Sequence, residues 1–282
     1  MLKNLSHVFD RSGLAAISDL QSEQWEIIFR QLEQSQSQFL AREAEYRSPE
    51  YKWPRDPLHT WSRVWEYPYT YHHLRQWRIS QGNGQNLHVV DLGSGVTFFP
   101  FSIARLGYTV TCVDVDPVVA TDLPRAVKAL DPKPGSIRCK IYDGSRLPFA
   151  DGEIDAVYCV SVLEHIPCFE ATIAVIARVL KPGGLLVLTI DLDLRGDQAI
   201  GPEGYKRLTE SLHKRLDYYR PVTTVHPVEV VTSVHSPFAS PNRSLPGYIM
   251  REAVRRVLGR RPASRVPFQL AVEGMVLIRR NE

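Results

Sequence analysis

Three carboxylates close three successive apolar runs, and a pair of glycines follows the first. "HVVDLGSGVTFFP", residues 88–100, places Asp91, Gly93, Ser94 and Gly95 at the end of one run. Asp114 ends the next, in "TVTCVDVDP", and Asp143 the one after, in "KIYDGSRLPF". Glycine permits positive φ and lets the backbone come close to a ligand. A strand-end carboxylate at Asp114 can accept hydrogen bonds from both hydroxyls of a ribose. One at Asp143 can accept from the exocyclic amine of adenine. Val115 and Gly144, directly after these two acids, can hold the adenine ring between them. Two glycines alone describe any tight strand-to-helix turn. With two strand-end acids beside them they describe a nucleoside site.

Such a site needs strands that end side by side, and the pattern from residue 87 supplies them. Apolar runs at 87–91, 109–113, 136–142, 154–160 and 185–190 read as strands; 99–106, 118–130 and 171–180 read as helices. "KPGG", 181–184, reads as a turn. Strands alternating with helices imply an α/β fold with a doubly wound, mostly parallel sheet covered on both faces. A last strand falls at 274–280, after an insertion at about 196–265. Ahead of the sheet, 14–45 has apolar residues at a helical period, and 48–60 is broken by three prolines. "WSRVWEYPYTYHHLRQWRIS", 61–80, reads as an aromatic helix with a break near Pro68. The chain therefore divides into a helical, aromatic-rich extension or cap, 1–80, and a sheet domain, 81–282.

The run "LPFADGEIDAVYCVSVLEHI", followed by "VIARVLKPGGLLVLTI", joins the glycine turn and the acids in a fixed order. The set resembles the class I S-adenosylmethionine-dependent methyltransferases, in the small-molecule branch with a seven-stranded Rossmann-like sheet. The resemblance covers about residues 87–190 and the last strand. It implies S-adenosyl-L-methionine as cofactor. It puts Asp91, Gly93, Ser94 and Gly95 around the methionine part, Asp114 on the ribose, and Asp143 with Gly144 at the adenine. Cys159 to Ser161 would run under the methionine end. The sequence departs from the family at Thr97, where a third glycine is usual. A dinucleotide would want its third glycine at Phe98, against the pyrophosphate and the helix, so a nicotinamide enzyme is disfavoured. Phe98 and Phe99 either wall the sulfonium with an aromatic face or pack the first helix on the sheet.

Candidates for the acceptor side lie in three places. In "WEYPYTYHH", Tyr67 and Tyr69, with Glu66, can meet an acceptor ring or the cofactor's amino acid group. His165 and Glu164, in "VLEHI", follow the fourth strand of the sheet, where a base can take a proton from a hydroxyl or amine. Asp191, in "TIDLDLRGD", follows the next strand and can give a substrate contact. Asp191, Asp193 and Asp197 are weakly spaced for a metal. His72 and His73 are adjacent and point about 100° apart on a helix, so no metal is expected. Pro167-Cys168 lies too far past its strand for a nucleophile, and no NPPY-type tetrapeptide follows that strand. His226, Glu229 and His235 can line the insertion.

Net charge of +3 is too small to imply nucleic acid. One local excess, "REAVRRVLGRRPASR" at 251–265, has six arginines and one acid, and either binds an anionic acceptor or faces water. Cys112, Cys139, Cys159 and Cys168 form no CxxC pair and read as reduced. No apolar run approaches the ~18 residues of a membrane helix, and the start lacks the apolar core of a signal peptide. The expectation is a cytoplasmic enzyme that methylates oxygen or nitrogen of a small-molecule or glycan-like acceptor. Two rivals stay open: a methyltransferase acting on RNA or protein, and a cofactor-binding scaffold or partner subunit without catalysis.

Overall fold

A computed structural model of the chain describes residues 7–52, 54–82, 85–193, 199–239, 245–258 and 269–281. The first elements are β1 (Gly13–Leu14), α1 (Ile17–Leu20), α2 (Glu23–Leu40) and α3 (Arg63–Ser80). The central run follows: β2 (His88–Leu92), α4 (Phe99–Ala104), β3 (Thr109–Asp114), α5 (Pro117–Leu130) and β4 (Ser136–Ile141). Then come β5 (Ile154–Val160), α6 (Phe169–Val179) and β6 (Leu180–Asp193). The last are α7 (Pro202–Leu212), β7 (Leu216–Tyr218), α8 (Leu245–Val257) and β8 (Leu270–Arg279).

The strands form one Rossmann-like sheet in the order β1-β8-β6-β5-β2-β3-β4, with β7 also paired to β8. The block β4-β3-β2-β5-β6 is parallel; β8 runs antiparallel to β6. Alternate side chains enter two cores, as a sheet covered on both faces requires. Val89, Val110, Cys112, Ala156 and Tyr158 face the core shared with α2, α3 and α4, while Val90, Leu92, Val113, Val157 and Cys159 face that shared with α6 and α7.

Three details differ from the sequence reading. Eight strands are present where seven were expected, because the outer edge of β8 pairs with two short pieces: β7 at Leu277–Arg279 and β1 at Glu273–Gly274. The first eighty residues are thus more than a cap, since β1 belongs to the sheet. "KPGG" lies inside β6, where the register against β5 slips between Ile154 and Ala156. Helix α3 runs unbroken through Pro68. Proline has no N–H for the carbonyl four residues back, which is Val64, and the Trp25 indole donates to that carbonyl at 2.9 Å instead.

Helix α3 is buried along most of its length. Trp65 and Tyr69 stack at 4.4 Å and sit on Gly274 of β8, where an added Cβ would stand 2.5 Å from the Tyr69 ring. Asp10 and Arg11, ahead of β1, clasp this helix. The Tyr69 hydroxyl donates to the Arg11 carbonyl at 2.8 Å, and His72 meets Asp10 at 3.0 Å.

Candidate functional site

Strand β2 is the first of the parallel block, and the chain goes from it to β3 and β4 before returning to β5 on its other side. A crevice opens beyond the carboxyl ends of two such strands, where the crossovers diverge. Gly93 stands there with φ +74°, and a Cβ on it would meet Val162, just past β5, at 2.5 Å. Only glycine lets the two strand ends approach this closely. Ser94 is buried and its hydroxyl donates to the Gly95 carbonyl at 3.1 Å.

Asp114, at the end of β3, is buried. Its carboxylate accepts from the Gly95 N–H at 2.8 Å and from the Asp116 N–H at 3.0 Å. It therefore fixes the glycine turn as well as facing the crevice. Asp116 accepts from the Val118 N–H at 2.9 Å and caps α5. Val115 is 58% exposed, an unusual state for a strand-end valine, and its Cγ1 lies 3.8 Å from the place of a Cβ on Gly144. The two residues thus come together at the open end of β3 and β4. Asp143 is exposed, and its Oδ1 accepts from the Ser145 N–H at 2.8 Å and hydroxyl at 2.7 Å, which hold it below the usual carboxylate range.

Asp91 is buried inside β2 and accepts from the Tyr158 hydroxyl at 2.8 Å. Burial, and to a lesser degree nearby Asp114, push its pKa up to about 8, so it keeps its proton at neutral pH. Phe98 and Phe99 are buried; Phe99 stacks on Tyr67 at 4.3 Å and sets its ring edge-on to Tyr158 at 5.6 Å. An aromatic layer from α3 and α4 takes the room that a third glycine would leave to helix packing.

The first turn of α3 roofs the ends of β5 and β6. Glu66 is fully buried; its Oε1 accepts from the Ser161 and Thr189 hydroxyls, both at 2.6 Å, and its other oxygen from Arg63. Arg63 also donates to the Ser161 hydroxyl at 2.8 Å. Ser161 has φ +47°, a strained value for a residue with a Cβ that is held here by this network. Glu164 accepts the Asp191 N–H at 3.0 Å, and its Oε2 is buried without a partner. Burial, followed by the Asp191 charge, raises its carboxyl well above the ordinary range. His165 is exposed, and partial burial together with Arg63 lowers its imidazole below 6.5.

Most of the expected residues therefore gather at the carboxyl ends of the parallel strands. Tyr69 does not: it is fully buried behind α3, with its hydroxyl on Arg11, and meets no acceptor. Tyr67 is buried under the crevice against Phe98 and Phe99. Asp197 and the arginines at 260, 261 and 265 lie outside the described residues. Among the described residues, Asp10, His72 and His73 bring three potential metal ligands within 4.8 Å, at the back of α3, where Arg220 already reaches Asp10 at 3.4 Å. The sequence reading missed Arg63. Its only signal was the three-residue spacing to Glu66, which places both on one helical face.

Comparison with known proteins agrees with this geometry. Residues 90–188 match the family model described as a methyltransferase domain. A sterol 4-C-methyltransferase of Caenorhabditis elegans is 32% identical over 106 residues, 37% of this chain and 31% of that protein. A ubiquinone biosynthesis O-methyltransferase of Xanthomonas oryzae is 36% identical over 104 residues, 36% of this chain and 41% of that protein. The chain thus spans well under two thirds of the length of these relatives. Among solved structures, the cyclase SpnF shares the fold with a TM-score of 0.52 at 17% identity, over 96% of this chain and 100% of that one.

Proposed function

We propose that the chain, whose residues 90–188 match a methyltransferase-domain model, is a class I S-adenosylmethionine-dependent methyltransferase that methylates oxygen or nitrogen of a small-molecule or glycan-like acceptor. The observation that carries the reading is the switch in strand order at the carboxyl ends of β2, β3 and β5, with a buried acid on each of the first two strands and an exposed valine against a glycine. An apolar Val115 beside Gly144 suits a flat purine. The buried Asp114 carboxylate suits ribose hydroxyls. Asp91 suits the ammonium of the methionine half, whose charge would draw off the proton that Asp91 holds.

S-adenosylmethionine, when bound, supplies the methyl group and a sulfonium leaving group. The chain's part is positioning, since an in-line displacement gains most from alignment. The Arg63–Glu66–Ser161–Thr189 network holds a rigid roof over the strand ends and shields the crevice from water. Burial, followed by the Asp191 charge, raises the Glu164 carboxyl and favours its protonated, donating form, whereas His165, lowered below 6.5, can take a proton. We therefore assign the base role to His165 and acceptor orientation to Glu164 and Asp191. A roofed crevice suits a small acceptor, and the relatives named above are named for sterol and ubiquinone chemistry. A cytoplasmic setting belongs to the same reading: no helix among the described residues is long and apolar enough to cross a membrane, and the four cysteines are free.

One further reading has an observation of its own. The cyclase SpnF has this fold, so the fold alone does not fix the reaction, and binding without methyl transfer is the competing outcome. The test is incubation with methyl-tritiated S-adenosylmethionine and a panel of hydroxylated, amino and saccharide acceptors, beside RNA and protein. Label in a small acceptor supports the proposal. Label only in RNA or protein, or tight cofactor binding with no labelled product, overturns it.

A further inference from the structure

The segment between α2 and α3 reaches the glycine turn from outside the sheet. The Arg47 side chain is only 5% exposed, yet its Nε and one Nη make no hydrogen bond. Its guanidinium lies 4.2 Å over the Tyr51 ring. The Tyr51 hydroxyl is likewise buried without a partner, 3.5 Å from the place of a Cβ on Gly95. Three buried donors without hydrogen bonds thus lie together beside the turn, the phenol against Gly95 and the guanidinium over the phenol's ring. The carboxylates nearby are engaged elsewhere. Glu43 lies 3.4 Å from Arg47 Nε without hydrogen-bond geometry and pairs with Arg55 at 2.9 Å, while Asp114 serves the Gly95 and Asp116 N–H groups.

Glu43 faces Arg47 in charge without bonding these nitrogens, and buried donors left without hydrogen bonds are costly, so this arrangement calls for a further anion. On the proposed reading the cofactor brings one anionic group. We propose that Arg47 and Tyr51 bind the carboxylate of the cofactor's methionine half at the Gly93–Gly95 turn. The planar fork of a guanidinium matches a carboxylate with two parallel N–H bonds. Stacking on Tyr51 sets the plane of that fork, and the phenol adds a third donor. Burial holds the Tyr51 phenol above its ordinary value, so it stays protonated and donating. The segment is anchored on its far side, where Ser48 donates to Asp122 from its N–H at 2.9 Å and its hydroxyl at 3.0 Å. Cofactor binding would then tie α5, the turn and this segment together. The assignment rests on the S-adenosylmethionine reading above.

The test compares S-adenosylhomocysteine with 5′-methylthioadenosine, which keeps the nucleoside and sulfur and lacks the amino-acid part, carboxylate and ammonium together, of which only the carboxylate can accept from a guanidinium and a phenol. Calorimetry on the full chain would measure both ligands for wild type, Arg47→Gln, Arg47→Lys and Tyr51→Phe. Arg47→Gln should weaken S-adenosylhomocysteine about ten- to hundredfold, the range for hydrogen bonds to a charged group. Tyr51→Phe should weaken it a few-fold, and both should leave methylthioadenosine within about twofold. If Arg47→Gln does not fold, Arg47→Lys and Tyr51→Phe decide on the same ratio. Equal losses for the two ligands would make the pair a structural support of the turn and overturn the assignment, as would unchanged S-adenosylhomocysteine binding. Wild type that binds neither ligand defeats the cofactor reading itself, a result distinct from both.

Discussion

Asp91 and Asp114 stand on neighbouring strands, and each makes a measurable prediction. Asp91 has a folded pKa of about 8 against an ordinary 3.8. The folded chain therefore holds a proton that the unfolded chain has lost between these values. This destabilises the protein increasingly as pH rises from about 4 to 8. A cofactor ammonium beside Asp91 favours the ionised form, so binding at pH 7 should release up to one proton. Titration in buffers of differing ionisation heat should show this, and Asp91→Asn should abolish it; a buffer-independent heat would count against the contact. Asp114→Ala should weaken S-adenosylhomocysteine ten- to several-hundredfold. It should also cost about 1–3 kcal/mol of stability, because the Gly95 N–H loses its acceptor. Asp116→Ala removes a helix cap, worth about 1 kcal/mol, and should leave binding within about threefold. Equal binding losses would mean that the wrong acid has been assigned. His165 gives a third test: methyl transfer should fall in acid with a midpoint below the ordinary imidazole value, and His165→Gln should lower the rate and remove that acid limb, whereas an acid limb unchanged in His165→Gln removes the base role. The strand-end acids were legible because each sits at a fixed offset from an apolar run. Arg47 and Tyr51 were not, because "RSPEYKWPRDPLHT", 47–60, has no period and its meaning lies in the turn it touches some forty residues away.

At the scale of elements, α3 does most of the positioning. It carries Arg63 and Glu66 to the strand ends and seats Trp65 and Tyr69 on β8. Its continuity across Pro68 depends on the Trp25 indole, which occupies the carbonyl that proline leaves bare. Trp25→Phe should cost about 1–3 kcal/mol for the orphaned carbonyl, beyond any packing loss. With Pro68→Ala in place the N–H is restored and the cost of Trp25→Phe should shrink. A double-mutant cycle by denaturant melts measures that coupling, and additive effects would refute the explanation. The break expected at Pro68 was a sound local rule. It failed because the compensating donor comes from another helix, which a reading of local pattern does not see. Strands β2, β3, β4 and β5 were legible to within a residue, and in β2, β3 and β5 burial on both faces writes a nearly continuous apolar run, while β6, read as 185–190, spans Leu180–Asp193. The "KPGG" turn was misread since its residues extend β6 past a register slip.

For the whole molecule, the two-part division does not describe how the core is built. Phe9, Leu32, Trp65 and Tyr69 pack in the same buried cluster as Val89, Val110 and Val187 of the sheet, and β1 pairs with β8 at the far end of the chain. Pairing between residues 13–14 and 273–274 leaves no trace in local sequence pattern. One calorimetric unfolding transition is the expected result; two separable transitions would restore the cap as an independent unit. The central claim concerns what this single unit binds at the edge between β2, β3 and β5. Titration of the purified chain with S-adenosylhomocysteine, beside NAD, tests it most directly. The account predicts saturable one-to-one binding of S-adenosylhomocysteine, at least tenfold weaker in Asp114→Ala, and weaker or absent binding of NAD. Tighter binding of NAD, or S-adenosylhomocysteine binding that ignores Asp114, would contradict it.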